Sequence, residues 1–463
     1  MSNILLVEPS FPYPNKSKNK ANLIHKNFLP IGLLKFASYY KAKGHNVQLV
    51  RGIKSLEELE FRPNEILVTS LFTYWSEYVW NVIEHYRLLF PNAIIKLGGI
   101  YATLHSGKNA FIKRAKGFNI EVHKGLDANA EAYLPDYSIL PNVEYHATHM
   151  MRGCIRKCSF CGTWKIEPNR INKTKKCIIE ELQTVGKNKV IFYDNNILAN
   201  PFIKEILMEF ETLQICNKPV IFESQSGFDG RLLENDPSLA TLIRNARFEN
   251  IRIAWDNGLI DKDSIKRQID ILTKVGYKTK DISIFMIYNF DLNYEDMIKK
   301  IQFCRRQGVQ IADCRYRPLN LDYDNYNPHS REKQTKKDYY IHQKAGWTDK
   351  KIKKFRKLVR IHNIWIRYAK DKGVEYDNKM EKWSAIHNVY KYFNLKKPPL
   401  IDKIEKSQYL KTKIKLLNKI RKYCKGTNIN PSELEIHYSL ADLKGYVGKI
   451  EAKKQAEVPS MDQ

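Results

Sequence analysis

The sequence contains no run of 18 or more apolar residues, so we expect no membrane-spanning helix. Its first residues have neither a basic lead nor a small-residue cleavage site, because their apolar stretch covers only residues 4–7. This stretch predicts a first strand rather than a signal peptide. Together the two absences predict a cytoplasmic protein.

Cysteine is also scarce, with eight in 463 residues, and a reducing cytosol disfavours structural disulfides. Three of the eight, Cys154, Cys158 and Cys161, lie close together in the sequence. The other five are scattered singly, and we expect them to be small buried apolar side chains: Cys177, Cys216, Cys304, Cys314 and Cys424. Only the clustered three have a spacing that indicates chemistry.

Acidic residues are few relative to basic ones, and the formal net charge is +28. Residues 331–463 hold 33 Lys and Arg against 15 Asp and Glu, a net charge of +18. Such a region can bind a polyanion such as RNA, which would make the chain a nucleic-acid-binding or tRNA-modifying protein. The alternative is a solvated, Lys-rich surface, and the sequence has no RNP-type strand and no KH-type GxxG loop.

A chain of this length predicts two or three domains. Residues 1–125 alternate short apolar strands with helices of about a dozen residues. This pattern predicts an α/β fold with a parallel sheet covered on both faces, of the Rossmann or flavodoxin type. Residues 126–143, which contain Pro135 and Pro141, are expected to form a linker.

The alternation begins again in residues 144–321, where six βα units predict a partial (β/α)6 barrel of the TIM type. In such barrels the polar residues at the carboxyl ends of the strands face the active site. Polar residues follow the second, third and fourth predicted strands: Asp194 and Asn195, Gln225 and Ser226, and Asp256. Residues 322–463 lose this alternation and predict a basic, mostly helical C-terminal region, with helices near 350–372 and 410–423.

The clustered cysteines follow the first strand of this predicted barrel, with the spacing CxxxCxxC in the stretch MRGCIRKCSFCGTW at 151–164. Three thiolates on one short loop can bind three irons of a cubane and leave the fourth iron without a protein ligand. An open coordination position is characteristic of a catalytic metal centre. Two alternatives stay open: a zinc-binding structural protein with His146 or His149 as fourth ligand, and an electron-transfer cluster, which normally takes four cysteines.

With the aromatic Phe160 before its last cysteine, the motif resembles the signature of the radical S-adenosylmethionine (SAM) superfamily. The resemblance covers residues 145–320 and implies that the three cysteines hold a 4Fe-4S cluster whose fourth iron chelates SAM. Reductive cleavage of SAM then gives a 5′-deoxyadenosyl radical, which abstracts hydrogen from a substrate. The resemblance also implies an electron donor such as a flavodoxin or a ferredoxin.

The same resemblance implies roles for the residues at the strand ends. Phe160 would pack on the adenine, while Asp194 and Asn195 would lie at the amino end of SAM. The SAM carboxylate, the ribose or the substrate would be contacted by Gln225, Ser226 and Asp256. The alternative for each polar residue is a helix N-cap. The fifth strand departs from the family pattern, because residues 287–291 (IYNFD) replace the usual Gly-Pro turn.

The N-terminal unit resembles the cobalamin-binding domain of one class of radical SAM enzymes. Gly98 and Gly99 correspond to the Gly-Gly turn of that class, where the backbone approaches a flat cofactor closely. The cobalt-ligating motif DxHxxG is absent from the sequence. Two reactions therefore stay open, methyl transfer with bound cobalamin and direct hydrogen abstraction without it. The substrate, whether a small molecule, a peptide or an RNA, is not specified by the sequence.

Overall fold

The computed structural model describes residues 1–12, 28–326, 337–368 and 370. The strands are β1 (Asn3–Glu8), β2 (Asn46–Arg51), β3 (Glu65–Ser70), β4 (Ile94–Gly99), β5 (Ile120–Val122), β6 (His146–Thr148), β7 (Met151–Arg152), β8 (Ile171–Asn172), β9 (Lys189–Phe192), β10 (Gln214–Ile215), β11 (Lys218–Pro219), β12 (Ile221–Ser224), β13 (Phe248–Glu249), β14 (Arg252–Ala254), β15 (Ser283–Tyr288) and β16 (Gln310–Arg315). The α-helices are α1 (Ile31–Ala42), α2 (Ser76–Leu89), α3 (Ile100–His105), α4 (Asn109–Gly117), α5 (Ala128–Glu131), α6 (Thr163–Ile166), α7 (Lys175–Val185), α8 (Ile203–Thr212), α9 (Gly230–Asn235), α10 (Ser238–Asn245), α11 (Lys262–Lys274), α12 (Tyr294–Gln307) and α13 (Asp349–Tyr368). Among these described helices, none has the length and apolar character that crossing a membrane requires.

Strands β1 to β5 form one parallel sheet in the order β2-β1-β3-β4-β5. This is the strand order of flavodoxin-like, doubly wound folds, as the sequence predicts. The inner strand β1 is buried because helices cover both faces of the sheet. On one face Leu6 packs with Leu33 of α1, and on the other Leu5 packs with Val79 of α2. The continuous apolar run of β1 follows from this two-sided burial.

The chain then forms two more parallel sheets, ordered β13-β12-β9-β6 and β14-β15-β16. Strands β13 and β14 belong to one stretch of chain, and one hydrophobic cluster containing Phe222, Ile253 and Met286 runs through both sheets. The α/β fold with parallel sheets is thus confirmed, while its closure into a partial barrel remains a prediction. The carboxyl ends within each parallel sheet lie at one edge. The loop that contains the three clustered cysteines, residues 153–162, follows β6 and the short strand β7.

Residues Met1–Ile366 form one compact unit, which extends past the predicted boundary at residue 321. Helix α13 belongs to it, because Phe355 packs on Tyr288 of β15 with ring centroids 4.8 Å apart. The predicted helix near 350–372 is thereby confirmed over Asp349–Tyr368. The predicted helix at 410–423 lies outside the described residues, as does most of the strongly basic region.

Some short elements were not predicted from the sequence. Strand β5 has three residues, and β7 and β8 form an antiparallel pair of two residues each. Elements of this length are too short to establish an alternation of apolar and polar residues. Strand β5 pairs with β4, and β7 and β8 pair with each other across the segment of chain that contains the clustered cysteines and α6.

Candidate functional site

The cysteine loop, residues 153–162, connects β7 to α6 and begins at a glycine turn. Gly153 has a φ of +75°, and a Cβ added to it would lie 2.9 Å from the carbonyl oxygen of Asn169. Both conditions require glycine. The Glu167 carboxylate accepts a hydrogen bond from Gly153 N (2.8 Å) and from Arg152 (3.0 Å). The Glu167 carboxylate therefore holds two consecutive residues at the entry to the loop.

Asp194 lies beneath the loop and is fully buried. Its carboxylate accepts hydrogen bonds from the backbone N–H groups of Met150 (3.0 Å) and Met151 (2.5 Å). Burial raises the pKa of Asp194 to about 7, although these N–H groups act in the opposite direction. The sequence predicted a cofactor contact here. The geometry instead supports a structural role, because the side chain is committed to the strand that enters the cysteine loop.

Cys154, Cys158 and Cys161 are half-buried, and the Cys161 N–H donates to the Cys158 carbonyl oxygen at 3.1 Å. Burial raises the pKa of Cys158, and Asp256 and the other two thiols add to the rise. Within the described ranges, no three Cys, His, Asp or Glu side chains are grouped closely enough to hold a metal ion. The three thiols lie on one loop, within electrostatic reach of one another.

Phe160 meets Phe290 edge to face, with ring centroids 5.8 Å apart. Phe290 follows β15 and packs on Tyr316, with ring centroids 4.4 Å apart. It belongs to the segment that departs from the Gly-Pro pattern, so the departure supplies an aromatic side chain opposite the loop. Both Phe160 and Phe290 stay partly exposed, which leaves apolar ring surface for a planar ligand. Sequence reasoning noticed the departure but did not assign Phe290 to the site.

The other predicted polar residues differ in exposure. Asn195 and Ser226 are exposed, whereas Gln225 and Asp256 are half-buried. Asp256 has no hydrogen-bond partner among the described residues. Burial raises the pKa of Asp256, while the nearby positive charge of Lys300 acts against the rise. Among the predicted strand-end residues, Asp256 is therefore half-buried and has a carboxylate that makes no hydrogen bond to a described residue.

Lys300, on α12, is a buried lysine that sequence reasoning missed. Its Nζ donates to the carbonyl oxygens of Trp255 (2.6 Å) and Asn257 (3.0 Å), the two neighbours of Asp256. Burial lowers the pKa of Lys300 to about 8, and Asp256 opposes that shift. Lys300 therefore fixes the backbone on both sides of Asp256. The sequence does not indicate this contact, because Lys300 lies on a helix far along the chain from Asp256.

Asp229 is a second residue that the sequence did not reveal. It caps the N-terminus of α9, and its carboxylate accepts hydrogen bonds from Arg156 (2.9 Å), Arg231 (2.9 Å) and Asn196 (3.1 Å). Arg156 lies between two of the clustered cysteines. Asp229 therefore links the cysteine loop to the N-terminus of α9, which follows β12. An Asp before a helix indicates a cap, but not which arginine it binds.

The glycine pair at the end of β4 lies against the neighbouring strand β3 and against His123. Gly99 has a φ of +96°, and an added Cβ would lie 2.1 Å from the carbonyl oxygen of Ser70 on β3. At Gly98 the nearest atom to such a Cβ is the His123 Cβ, at 3.8 Å. The Ser70 hydroxyl donates to Gly98 O (2.7 Å) and accepts from Ala102 N (3.0 Å). Gly99 thus permits the close approach of β3, while the contact of this pair with a flat cofactor stays a prediction.

We expect Gly99→Ala to lower the free energy of unfolding by about 2 kcal/mol, since a φ of +96° with a ψ of −167° is a conformation essentially confined to glycine. Urea unfolding followed by circular dichroism measures the change. Gly117→Ala is the matched control, because an added Cβ there has no neighbour within 4 Å. Equal stability of the two variants would contradict the assigned role of Gly99.

The contacts of His146 argue against it as the fourth ligand of a zinc site. His146 is fully buried, and its Nδ1 lies 2.8 Å from the Tyr137 hydroxyl and its Nε2 3.0 Å from Glu181. Both ring nitrogens are engaged, so His146 is not placed to complete a Cys3His site. His149 lies half-buried, with its ring edge-on to Tyr193 at 6.4 Å.

The flavodoxin-like sheet region contacts the cysteine loop directly. A Cβ added to Gly162 would lie 3.6 Å from Leu104 of α3. An ion-pair chain runs from Arg152 to Glu131 (2.7 Å) and from Glu131 to Lys35 of α1 (2.8 Å). The cysteine loop and the strand that leads into it therefore contact the first α/β region, while part of the loop stays exposed. A scan against protein-family models gives no match for this chain, and a search of curated protein sequences gives none either.

Proposed function

We propose that this protein is a radical SAM enzyme that uses a 4Fe-4S cluster on Cys154, Cys158 and Cys161. The observation that carries the proposal is the placement of three thiols and Phe160 on one loop, which follows β6, the first strand of a parallel sheet, after the short strand β7. In α/β folds, ligands bind at the carboxyl ends of such strands. We also propose that the two sheets formed by β6 to β16 are parts of one partial barrel.

The donor set fits a cluster of this kind. Thiolates select iron–sulfur clusters over hard metals, and three of them leave one iron open to a ligand. The loop is partly exposed, and the Arg156 backbone N–H already points to Cys154 Sγ at 3.3 Å. When bound, the cluster would supply the electron that cleaves the S–C5′ bond of SAM and so generates a carbon radical.

The residues around the loop have distinct tasks in this proposal. Phe160 and Phe290 offer ring surface to the adenine, and the unoccupied Asp256 carboxylate accepts hydrogen bonds from a hydroxyl or amine of the ligand. Lys300 fixes the peptide groups on either side of Asp256. Asp194 acts indirectly, by holding the strand that leads into the loop.

Anaerobic purification followed by iron and sulfide analysis tests the proposal. We expect about four irons per chain, as a 4Fe-4S cluster requires. Incubation with dithionite and SAM should release 5′-deoxyadenosine, measured by chromatography and mass spectrometry. Iron-free protein that carries one zinc would refute the proposal.

The backbone of Ser70 by itself explains the glycine at residue 99, and the sequence has no cobalt-ligating DxHxxG motif, so no feature of this pair calls for cobalamin. We therefore propose direct hydrogen abstraction as the reaction and derive no methyl-transfer step. Reconstitution with hydroxocobalamin followed by gel filtration tests this choice. Retention of cobalamin in the protein fraction, seen in its absorbance spectrum, would favour methyl transfer instead.

A further inference from the structure

Cys161 differs from the other two clustered cysteines in its contact with a side-chain hydroxyl. Thr163 lies two residues further along the chain, and its Oγ1 is 3.2 Å from Cys161 Sγ. The backbone N of Thr163 also lies 3.5 Å from the same sulfur. Cys154 Sγ, by comparison, receives a backbone N–H from Arg156. The sulfur of Cys161 thus lies close to both the hydroxyl and the backbone N–H of Thr163.

The hydroxyl of Thr163 has a second partner, Asn195, whose Oδ1 lies 2.9 Å away. The orientation of this amide is fixed by Glu167, because Asn195 Nδ2 donates to Glu167 Oε2 at 3.3 Å. Turning the amide over would place its oxygen against a carboxylate oxygen. Glu167 is itself held by Gly153 N and Arg152 at the start of the loop. The acceptor that faces the hydroxyl is therefore an oxygen.

A threonine hydroxyl has one hydrogen to donate. While Cys161 is a thiol, its S–H donates to Thr163 Oγ1 and the hydroxyl donates to Asn195 Oδ1. Once Cys161 becomes a thiolate ligand, the S–H is lost and the sulfur becomes an anionic acceptor 3.2 Å from the hydroxyl. Hydrogen bonds to ionised acceptors are about twice as strong as neutral ones. The hydroxyl then gains more from the sulfur than from the amide oxygen.

We propose that Thr163 is a positioning residue that raises the reduction potential of a cluster bound through Cys161, by donating its hydroxyl hydrogen to the sulfur. The proposal rests on the proposed function. Reduction takes up one electron from the reductant, breaks no bond and adds negative charge to the cluster and its sulfur ligands. A hydrogen bond to a ligand sulfur stabilises that added charge, so it favours the reduced state.

The test compares Thr163→Val, which removes the hydroxyl at nearly constant volume, with Thr163→Ser, which keeps it. Each variant is reconstituted anaerobically without SAM, and the cluster is titrated with dithionite in the presence of redox mediators and followed by electron paramagnetic resonance. We expect the valine variant to show an about tenfold smaller reduction equilibrium constant, equivalent to a potential about 59 mV lower for a one-electron couple. The serine variant should stay close to the wild type.

A valine variant that holds about four irons and titrates at the wild-type potential would overturn the proposal. If the valine variant binds no iron, Asn195→Ala replaces it, because this change keeps Thr163 and removes the competing acceptor. The potential is then expected to rise, and an unchanged or lower potential overturns the proposal. Wild-type protein that assembles no cluster at all would refute the proposed function, which is a different result from an unaltered potential.

Discussion

Replacement of Cys158 by alanine is expected to reduce bound iron from about four atoms per chain to below about one, because a cubane that loses one of three thiolates is no longer anchored. Formation of 5′-deoxyadenosine from SAM and dithionite should fall to background. Cys154→Ala and Cys161→Ala are expected to have the same effect. Iron analysis and the absorbance near 400 nm of the reconstituted variants measure the loss.

Cys177→Ala and Cys216→Ala are matched controls, since both cysteines lie outside the loop and are exposed. The expectation from the sequence that they are buried is wrong, and it is wrong for Cys314 as well, whereas Cys304 is buried. The two control variants should keep the iron content and the SAM cleavage of the wild type. The assignment of the cluster to residues 154–161 would be wrong if a loop variant retained full iron content. It would also be wrong if a control variant lost its iron as completely as the loop variants.

Glu181→Gln is expected to lower the free energy of unfolding at pH 7 by about 3 kcal/mol. Glu181 lies on α7 and is 9% exposed, and it binds His146 of β6 at 3.0 Å. It also accepts hydrogen bonds from Thr148 and Lys173. Burial by itself would raise the pKa of Glu181, but these partners outweigh it and lower the pKa to about 2.

Because folding lowers the pKa of Glu181, the stability that this group contributes decreases at acidic pH. A carboxyl group whose pKa is lowered on folding from 4.5 to about 2 stabilises the folded protein fully above pH 4.5. This contribution is lost as the pH falls through 4.5 toward 2. The difference in stability between the wild type and Glu181→Gln should therefore shrink over that range. Urea unfolding of the metal-free protein, followed by tryptophan fluorescence at pH 7 and at pH 3.5, measures it.

Glu180→Gln is the matched control, because Glu180 lies beside Glu181 on the same helix but is exposed. Its ion pair with Lys176, at 3.8 Å, lies between exposed side chains, and such pairs contribute little to stability. We expect the control to unfold like the wild type at both pH values. A Glu181→Gln variant as stable as this control at pH 7 would show that the buried network contributes nothing measurable.

The first sheet was predictable from the sequence because its signals are local. The apolar run ILLV of β1, the helical spacing from Ile31 onward and the strand at Glu65–Ser70 each need only neighbouring residues to be recognised. Alternation of such strands with helices then predicts a parallel sheet. The spacing of the three cysteines is equally local, since ligands on one short loop need no distant element to bring them together.

The partners of the site residues were not predictable in this way. Asp194 and Asn195 are adjacent in sequence, yet one is fully buried beneath the cysteine loop and the other is exposed and binds Thr163. Lys300 approaches the backbone around Asp256 from a helix more than 40 residues away. Which polar side chain is buried, and which acceptor it meets, depends on packing between elements that the local pattern does not encode.

By itself, the sequence determined the order of strands and helices and the thiol spacing of the loop, because these depend on neighbouring residues along the chain. Only the tertiary structure showed that the backbone of Ser70 lies beside Gly99. It likewise decided that His146 is committed to Tyr137 and Glu181. The physical reason is that a hydrogen bond or a steric contact joins groups by distance in space, and a folded chain brings together residues that its sequence separates.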